Sequence, residues 1–161
     1  MDIYFLRHAS AGSPKLGKDD EARPIDAEGE EQSRDVGKLL AQLGVQPRAF
    51  ISSPLTRALQ TAGLVAKEIG FKGDITQHDA LRPDATYEQF QAMLRNHAKS
   101  ESIIVTGHNP RLSEFLSQLI SHGTVSDAID LKKAAVAKVD WGDVAQLSWC
   151  VTPKVIRAAR Q

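Results

Sequence analysis

Cysteine is nearly absent. The chain has 161 residues and one cysteine, Cys150, so no disulfide can close within it, and a reducing compartment, cytoplasmic by default, is the expectation. No apolar run approaches the roughly 20 residues that cross a bilayer as a helix. Met1 leads straight into Ile3-Tyr4-Phe5-Leu6, without the basic and apolar stretches of a secretory signal. An excess of one charge is missing too. Lys+Arg and Asp+Glu number 20 each, for a formal net charge of zero. Bulk charge therefore gives no reason to expect a nucleic acid or a membrane as partner. There is no Gly-rich phosphate loop, no His-Glu-x-x-His and no cysteine pair, so neither P-loop nucleotide binding nor a metal or other cofactor is expected. His78, His97 and His122 are dispersed along the chain and read as surface or structural residues.

What remains is an ordinary globular composition, 42% hydrophobic and 25% charged, with the length of one domain spanning 1–161. Ile3–Leu6, Phe50–Ser52 and Ile103–Thr106 read as short buried strands. A polar loop from Ala9 to about Ala27 precedes a helix over 28–43, in which Val36, Leu39, Leu40 and Leu43 form a stripe that Gly44 ends. Ser53-Pro54 reads as a helix start, serine as N-cap and proline at the first helical position, and Asn109-Pro110 as another. Residues 74–77 suggest an edge strand and 86–97 a helix. Ala134–Val139 and Ala145–Val151 flank Trp141-Gly142-Asp143 as a hairpin, with Trp149 and Cys150 as core and face residues of its last strand. Strands alternating with helices predict an α/β fold of three layers. Its central sheet is mostly parallel, covered by helices on both faces, and its C-terminal edge is antiparallel.

Each of the three buried strands is followed by chemistry. Arg7-His8 ends the first, Ser53 and Arg57 follow the second, and Gly107-His108-Asn109 follows the third. Open α/β sheets bind ligands outside the carboxyl ends of their strands, so two arginines and two histidines converge at one edge. Arginine forks suit the oxygens of a phosphoryl group, and a neutral imidazole can attack phosphorus to form a covalent phosphohistidine. His8 is the candidate nucleophile, Arg7, Arg57 and His108 its catalytic partners. A backbone carbonyl near Ala9–Gly12 is expected to hold the non-attacking ring nitrogen. Arg23, from the long loop, and Ser53 and Asn109, at the strand ends, are the candidate substrate-binding residues.

Together these residues resemble the histidine phosphatase superfamily, which has the phosphoglycerate-mutase-like fold. Leu6-Arg7-His8 is similar to its Arg-His-Gly signature, with Ala9 in place of glycine. Ser52-Ser53-Pro54-Leu55-Thr56-Arg57-Ala58 is similar to its second signature, and Gly107-His108 to its late histidine. Arg23-Pro24-Ile25 with Gly29, and Gly107-His108-Asn109-Pro110, resemble the SixA-type phosphohistidine phosphatases. The resemblance implies hydrolysis through phosphorylated His8 in a pocket of Arg7, Arg57 and His108. It implies a partner protein bearing phosphohistidine, such as a signalling phosphotransfer domain or a phosphotransferase-system carrier. Larger relatives build a lid between the third and fourth strands. Only Asp79 to Glu101 lies there in this chain, so no lid subdomain and an open groove are expected. Phosphomonoesterases of the superfamily carry an acid after the third strand, in a Leu-x-Glu context, but Leu81-Arg82-Pro83 puts proline there, with Asp79 and Asp84 offset. An alkoxide leaving group needs a proton donor more than an imidazole does, which favours phosphohistidine. Two alternatives stay open. One is a phosphatase or mutase for a small phosphomonoester, with Asp79 or Asp84 as acid. The other is a non-catalytic phospho-ligand module, which the intact histidines and arginines argue against.

Overall fold

The structure is a computed structural model and describes residues 1–14, 16, 19–124 and 127–160. In chain order it comprises β1 (Asp2–Arg7), α1 (Ala27–Gln42), β2 (Ala49–Ser52), α2 (Thr56–Glu68), β3 (Ile75–Gln77), a 3-10 turn (Asp79–Leu81), α3 (Tyr87–Asn96), β4 (Ser102–Gly107), α4 (Arg111–Ile120), β5 (Val136–Trp141), β6 (Ala145–Val151) and α5 (Pro153–Ala158). The six strands form one sheet in the order β3-β2-β4-β1-β5-β6. The first four in that order run parallel, and the β5–β6 hairpin is antiparallel, as the sequence predicts.

Strand side chains alternate between faces, and this alternation divides the core. Ile3 and Phe5 of β1 join Ile51, Ile103 and Val105 beneath α3 and α4, where Phe90, Phe115 and Leu116 are buried. Tyr4 and Leu6 join Phe50 and Ile104 beneath α1 and α2, with Val36, Leu40, Ala62 and Val65. On the first face the rings of Phe5, Phe90 and Phe115 pack in sequence, the first pair tilted and the second stacked, with centroids 5.6 and 4.9 Å apart. Truncating a buried Phe of this kind costs about 3–5 kcal/mol.

Local signals place the helices that support the site. Asp26 caps α1 by accepting from Gly29 N at 2.8 Å, and its other oxygen takes Ser10 Oγ and Gly12 N. A Cβ on Gly29 would lie 2.1 Å from the Ser10 carbonyl oxygen. Only glycine lets the loop after β1 pack this closely on α1, which gives Gly29 a steric reason. Gly44 ends α1 with φ of +69°, the left-handed conformation glycine adopts most readily.

Both expected proline-led helix starts are shifted. α2 begins at Thr56 behind Leu55, with no side-chain cap, and α4 at Arg111 behind Pro110, also uncapped. Ser53 is not an N-cap because its backbone continues the strand ladder, donating to Thr106 O at 2.9 Å. Asn109 is drawn instead toward residues 130–131. The sequence reading misses α5, capped by Thr152 with Pro153 at its start. It also misplaces Cys150, which is exposed, because β6 is an edge strand whose outer face is bare. Trp149 is half-buried against Tyr4, ring centroids 6.0 Å apart.

Candidate active site

The site follows from strand register. Arg7 is paired with Gly107, and Ser52 with Thr106, so β1, β2 and β4 end level. The ladder runs one residue further: His8 N donates to Gly107 O at 3.0 Å and Ser53 N to Thr106 O. His8, Ser53 and His108 are therefore set side by side by backbone hydrogen bonds before any side-chain contact is made. The His8 and His108 rings lie 5.0 Å apart, centroid to centroid.

His8 is buried, 9% exposed, and its Nδ1 lies 2.8 Å from the Ala9 carbonyl oxygen. A carbonyl only accepts, so Nδ1 carries the hydrogen and Nε2 keeps its lone pair. The carbonyl expected near Ala9–Gly12 is thus Ala9's own. That loop is pinned from α2, where Thr61 Oγ1 accepts from Ala9 N at 3.0 Å and donates to Arg57 O at 2.7 Å. Burial lowers the His8 pKa to about 4, aided by Arg57, Arg7 and Arg23 and opposed by the Ala9 bond. His108 Nε2 is 2.8 Å from Ser53 Oγ, and burial, with His8 and Arg57 nearby, lowers its pKa to about 2. Both rings are neutral at pH 7, the state a nitrogen nucleophile needs.

Arg57 occupies the first turn of α2 and is 5% exposed. It donates through Nη1 to the Asp20 carbonyl at 2.8 Å, and its Nη2 lies 3.3 Å from the Asp20 carboxylate. Arg7 donates through Nη1 to Leu131 O at 2.7 Å. Burial pushes both guanidiniums below the usual arginine range, although arginine stays charged. Arg7 Nε, Arg57 Nε and His108 Nδ1 are buried without any hydrogen-bond partner. Leaving a buried polar group unpaired costs about 1–3 kcal/mol, and two arginine N–H donors with an unpartnered imidazole nitrogen beside them suit an anion.

Arg23 joins from the loop. Its Nη1 donates to the carbonyls of Ala11 and Gly12 and its Nε to Asp20 at 2.8 Å. Asn109, which the sequence suggests as a substrate-binding residue, lines a groove together with Arg7. Its amide donates to Leu131 O and Asp130, and its oxygen accepts from Ser113 Oγ. Its amide N–H groups are spent on the segment whose Leu131 carbonyl holds Arg7, and its oxygen on Ser113 of α4, so it also braces that arginine. Asp20 and Arg82 are the residues the sequence reading misses. Asp20 bridges Arg23 and Arg57, and Arg82 pairs with Glu21 and lies 3.7 Å from Asp84. The signal for Asp20 was its place three residues before Arg23, within one turn of loop.

The site is open. One groove of about 660 Å³ touches it through Asp20 and Arg23, and another of about 440 Å³ through Arg7 and Asn109. Between β3 and β4 only the 3-10 turn and α3 intervene, and no lid subdomain is built there. Among the described residues, no three His, Cys, Asp or Glu side chains could hold a metal ion together. No helix among them is long and apolar enough to cross a membrane.

A sequence profile of the histidine phosphatase superfamily (branch 1) matches residues 3–101, the stretch that carries Arg7, His8 and Arg57. The chain belongs to the histidine phosphatase superfamily. An uncharacterized protein of Picosynechococcus sp. (strain PCC 7002) is 33% identical over 139 residues, covering 84% of this chain and 82% of that protein. Among solved structures, the protein histidine phosphatase SixA complexed with tungstate superposes with a TM-score of 0.87 at 21% identity, covering 97% of this chain and 99% of that one. A protein from Agrobacterium tumefaciens assigned as a SixA phosphohistidine phosphatase gives 0.82 at 22% identity, with coverage of 94% and 97%. The α-ribazole phosphatase from Shigella flexneri gives 0.74 at 18% identity, with coverage of 95% and 97%. The phosphoglycerate-mutase-like architecture expected from sequence is the one found, and membership of the superfamily supports phosphatase activity.

Proposed function

We propose that this chain is a metal-independent phosphohistidine phosphatase that acts on a phosphorylated protein through a covalent intermediate on His8. One observation carries the reading. A neutral histidine, with Nδ1–H fixed on a carbonyl and Nε2 free, stands among three buried nitrogens that lack partners. Nε2 attacks phosphorus as the bond to the leaving group breaks. Arg7, Arg57 and His108 stabilise the equatorial oxygens where charge is spread. His8 Nδ1–H stays on Ala9 O throughout, so the phosphorylated ring retains its distal proton and leaves as neutral imidazole when water attacks.

The choice of phosphohistidine rests on the carboxyl groups. An alkyl ester needs an acid that is protonated at neutral pH. Asp79 and Asp84 line a separate small pocket with Arg82, Ala85 and Gln89. Asp20, the carboxyl on the site's arginines, is held below the ordinary aspartate pKa by its hydrogen bond to Arg23, so it is ionised and has no proton to give. The open grooves suit a side chain presented by another protein, for which a phosphotransfer domain or a phosphotransferase-system carrier remains the proposed partner. A second reading, a small phosphomonoester as substrate, is kept because the α-ribazole phosphatase shares the fold. The test is turnover of a phosphohistidine protein against alkyl phosphomonoesters without added metal. Faster turnover of the alkyl esters would reverse the order of the two readings.

A further inference from the structure

Asp20 is an exposed carboxylate that holds two of the site's guanidiniums and lines the groove beside them. His8 is buried at the strand ends, so a phosphoryl group carried by another molecule must reach it from the solvent side. The displacement is in line, so the leaving group departs toward solvent. Asp20 is half-exposed there, between Arg23 Nε at 2.8 Å and Arg57 Nη2 at 3.3 Å. Its backbone is fixed on both sides, since its carbonyl accepts from Arg57 Nη1 and from Arg23 N. The neighbouring Glu21 carbonyl accepts from Thr56 N, the first residue of α2. The charged and titratable groups around it are Arg23, Arg57 and His108; the hydrogen bond to Arg23 and the charges of Arg57 and Arg23 favour its anionic form, while His108 is neutral at pH 7. An anion beside a phosphate pocket works against phosphate binding, so its presence asks for a compensating use.

We infer that Asp20 accepts the distal ring N–H of the phosphohistidine leaving group and thereby selects imidazole over alcohol leaving groups. The inference rests on the phosphohistidine reading above and deepens it. As the His8 Nε2–P bond forms, the P–N bond to the substrate ring breaks and its electron pair stays on that nitrogen. If the distal nitrogen carries a proton, the ring leaves as neutral imidazole, and no proton moves in the step. If it does not, the ring must leave as a far more basic anion. An imidazole nitrogen titrates near about 6.5, so at neutral pH an anionic acceptor is what keeps the distal proton in place. The Ala9 carbonyl does this for His8, and Asp20 does it for the substrate, which puts an oxygen acceptor behind each of the two rings that exchange the phosphoryl group. An ionised carboxylate gives no such help to an alkoxide.

The test uses the whole protein, with N-phosphohistidine and 4-nitrophenyl phosphate as substrates, the wild type set against Asp20→Asn and Asp20→Glu. Asparagine can still accept from Arg23 Nε, so the loop keeps its anchor while the charge is lost. The expected result is a fall of about tenfold or more in the ratio of kcat/KM for phosphohistidine to that for the aryl ester, the scale of a hydrogen bond to a charged group. The fall should deepen from pH 6 to pH 8, and Asp20→Glu should recover part of it. An unchanged ratio, or equal loss on both substrates, overturns the inference and leaves the substrate reading standing. A rise on both substrates would make Asp20 only a competitor for the phosphate position, and overturns it as well. If the wild type hydrolyses the aryl ester through His8 but not phosphohistidine, the substrate reading itself fails.

Discussion

Arginine is used in two opposite ways at two places in this molecule. Near the C-terminus, Arg157 of α5 meets Glu28, Glu31 and Asp35 of α1, and Arg160 adds a second contact to Asp35. These groups are partly exposed, and three carboxylates answer two guanidiniums. At the strand ends, Arg7 forms no ion pair among the described residues, Arg57 has only Asp20, and both keep a buried Nε without a partner. The first arrangement staples a helix to the domain. The second holds desolvated positive charge open, a cost that makes sense when an anion arrives to use it. Charge alone does not separate the two cases, and neither does one unmet N–H, since Arg157 Nη2 also lacks a hydrogen-bond partner; burial and the scarcity of facing carboxylates do.

The largest effect that sharpens this contrast is expected at His8. His8→Ala removes the proposed nucleophilic nitrogen, so turnover and the trapping of labelled phosphate under acid-free quench should both vanish. Retention of more than trace activity would assign the nucleophile elsewhere. Next is a paired comparison. Arg57→Ala should lower turnover by roughly 10²-fold or more, as loss of a donor to developing charge does, with little change in stability. Arg157→Ala should leave turnover within a few-fold and reduce stability by about 1 kcal/mol, a shift of about 2–4 °C in Tm for a domain of this size. The two regions are mis-assigned if these effects are exchanged.

The contrast also has a pH signature. His8 and His108 are held neutral when folded, at pKa values of about 4 and about 2, whereas an unfolded histidine titrates near about 6.5. Below that pH the unfolded chain takes up protons that the folded site refuses, so stability must fall as pH drops from about 6.5 toward 4. Each ring contributes at most about 1.4 kcal/mol per pH unit. Asp35 is held below the ordinary aspartate range; burial opposes this, but the bonds to Arg157 and Arg160 outweigh it. Its contribution is lost only at more acidic pH. Urea unfolding at pH 7 and pH 5 should show the decline, and His108→Asn should flatten it. Equal stability at both values would mean that neither ring is held neutral.

Much of this was legible because strand ends and their following residues are local in sequence. Arg7-His8, Ser53 to Arg57 and Gly107-His108 each follow a short apolar run, and one parallel register gathers all three. Gly29 could be flagged as part of a pattern, but only the 2.1 Å approach to Ser10 O explains it. What stayed hidden depends on contacts distant in sequence. Asn109 reads from sequence as a residue of the site, but its tie to Leu131, 22 positions away, is not visible there. Asp20 sits in a polar loop where one carboxylate resembles the next, and only its reach to Arg57, 37 residues on, distinguishes it. The proline-led helix starts failed because Ser53 was still pairing as strand, a tertiary demand that overrode a sound local signal.

The smallest expected effect concerns Asp79 and Asp84. Both are the nearest carboxyls to the place where phosphomonoesterases of this superfamily keep an acid, and Pro83, which stands there, cannot donate a proton. Asp84 is largely exposed and lies 3.7 Å from Arg82 Nε, while Asp79 begins the 3-10 turn that His78 caps. The pocket they share is lined by Arg82, Ala85 and Gln89 and by neither Arg7 nor Arg57. Asp79→Asn and Asp84→Asn should therefore leave phosphohistidine hydrolysis within a few-fold of wild type. Alkyl esters should be poor substrates for the parent and remain poor in both variants, whereas an aryl phosphate should still react because its leaving group needs no proton. Acid catalysis matters in proportion to the basicity of the leaving group, so a relocated acid would betray itself by a selective loss on alkyl esters. That single result, in either variant, would move the assignment from phosphohistidine to a small phosphomonoester.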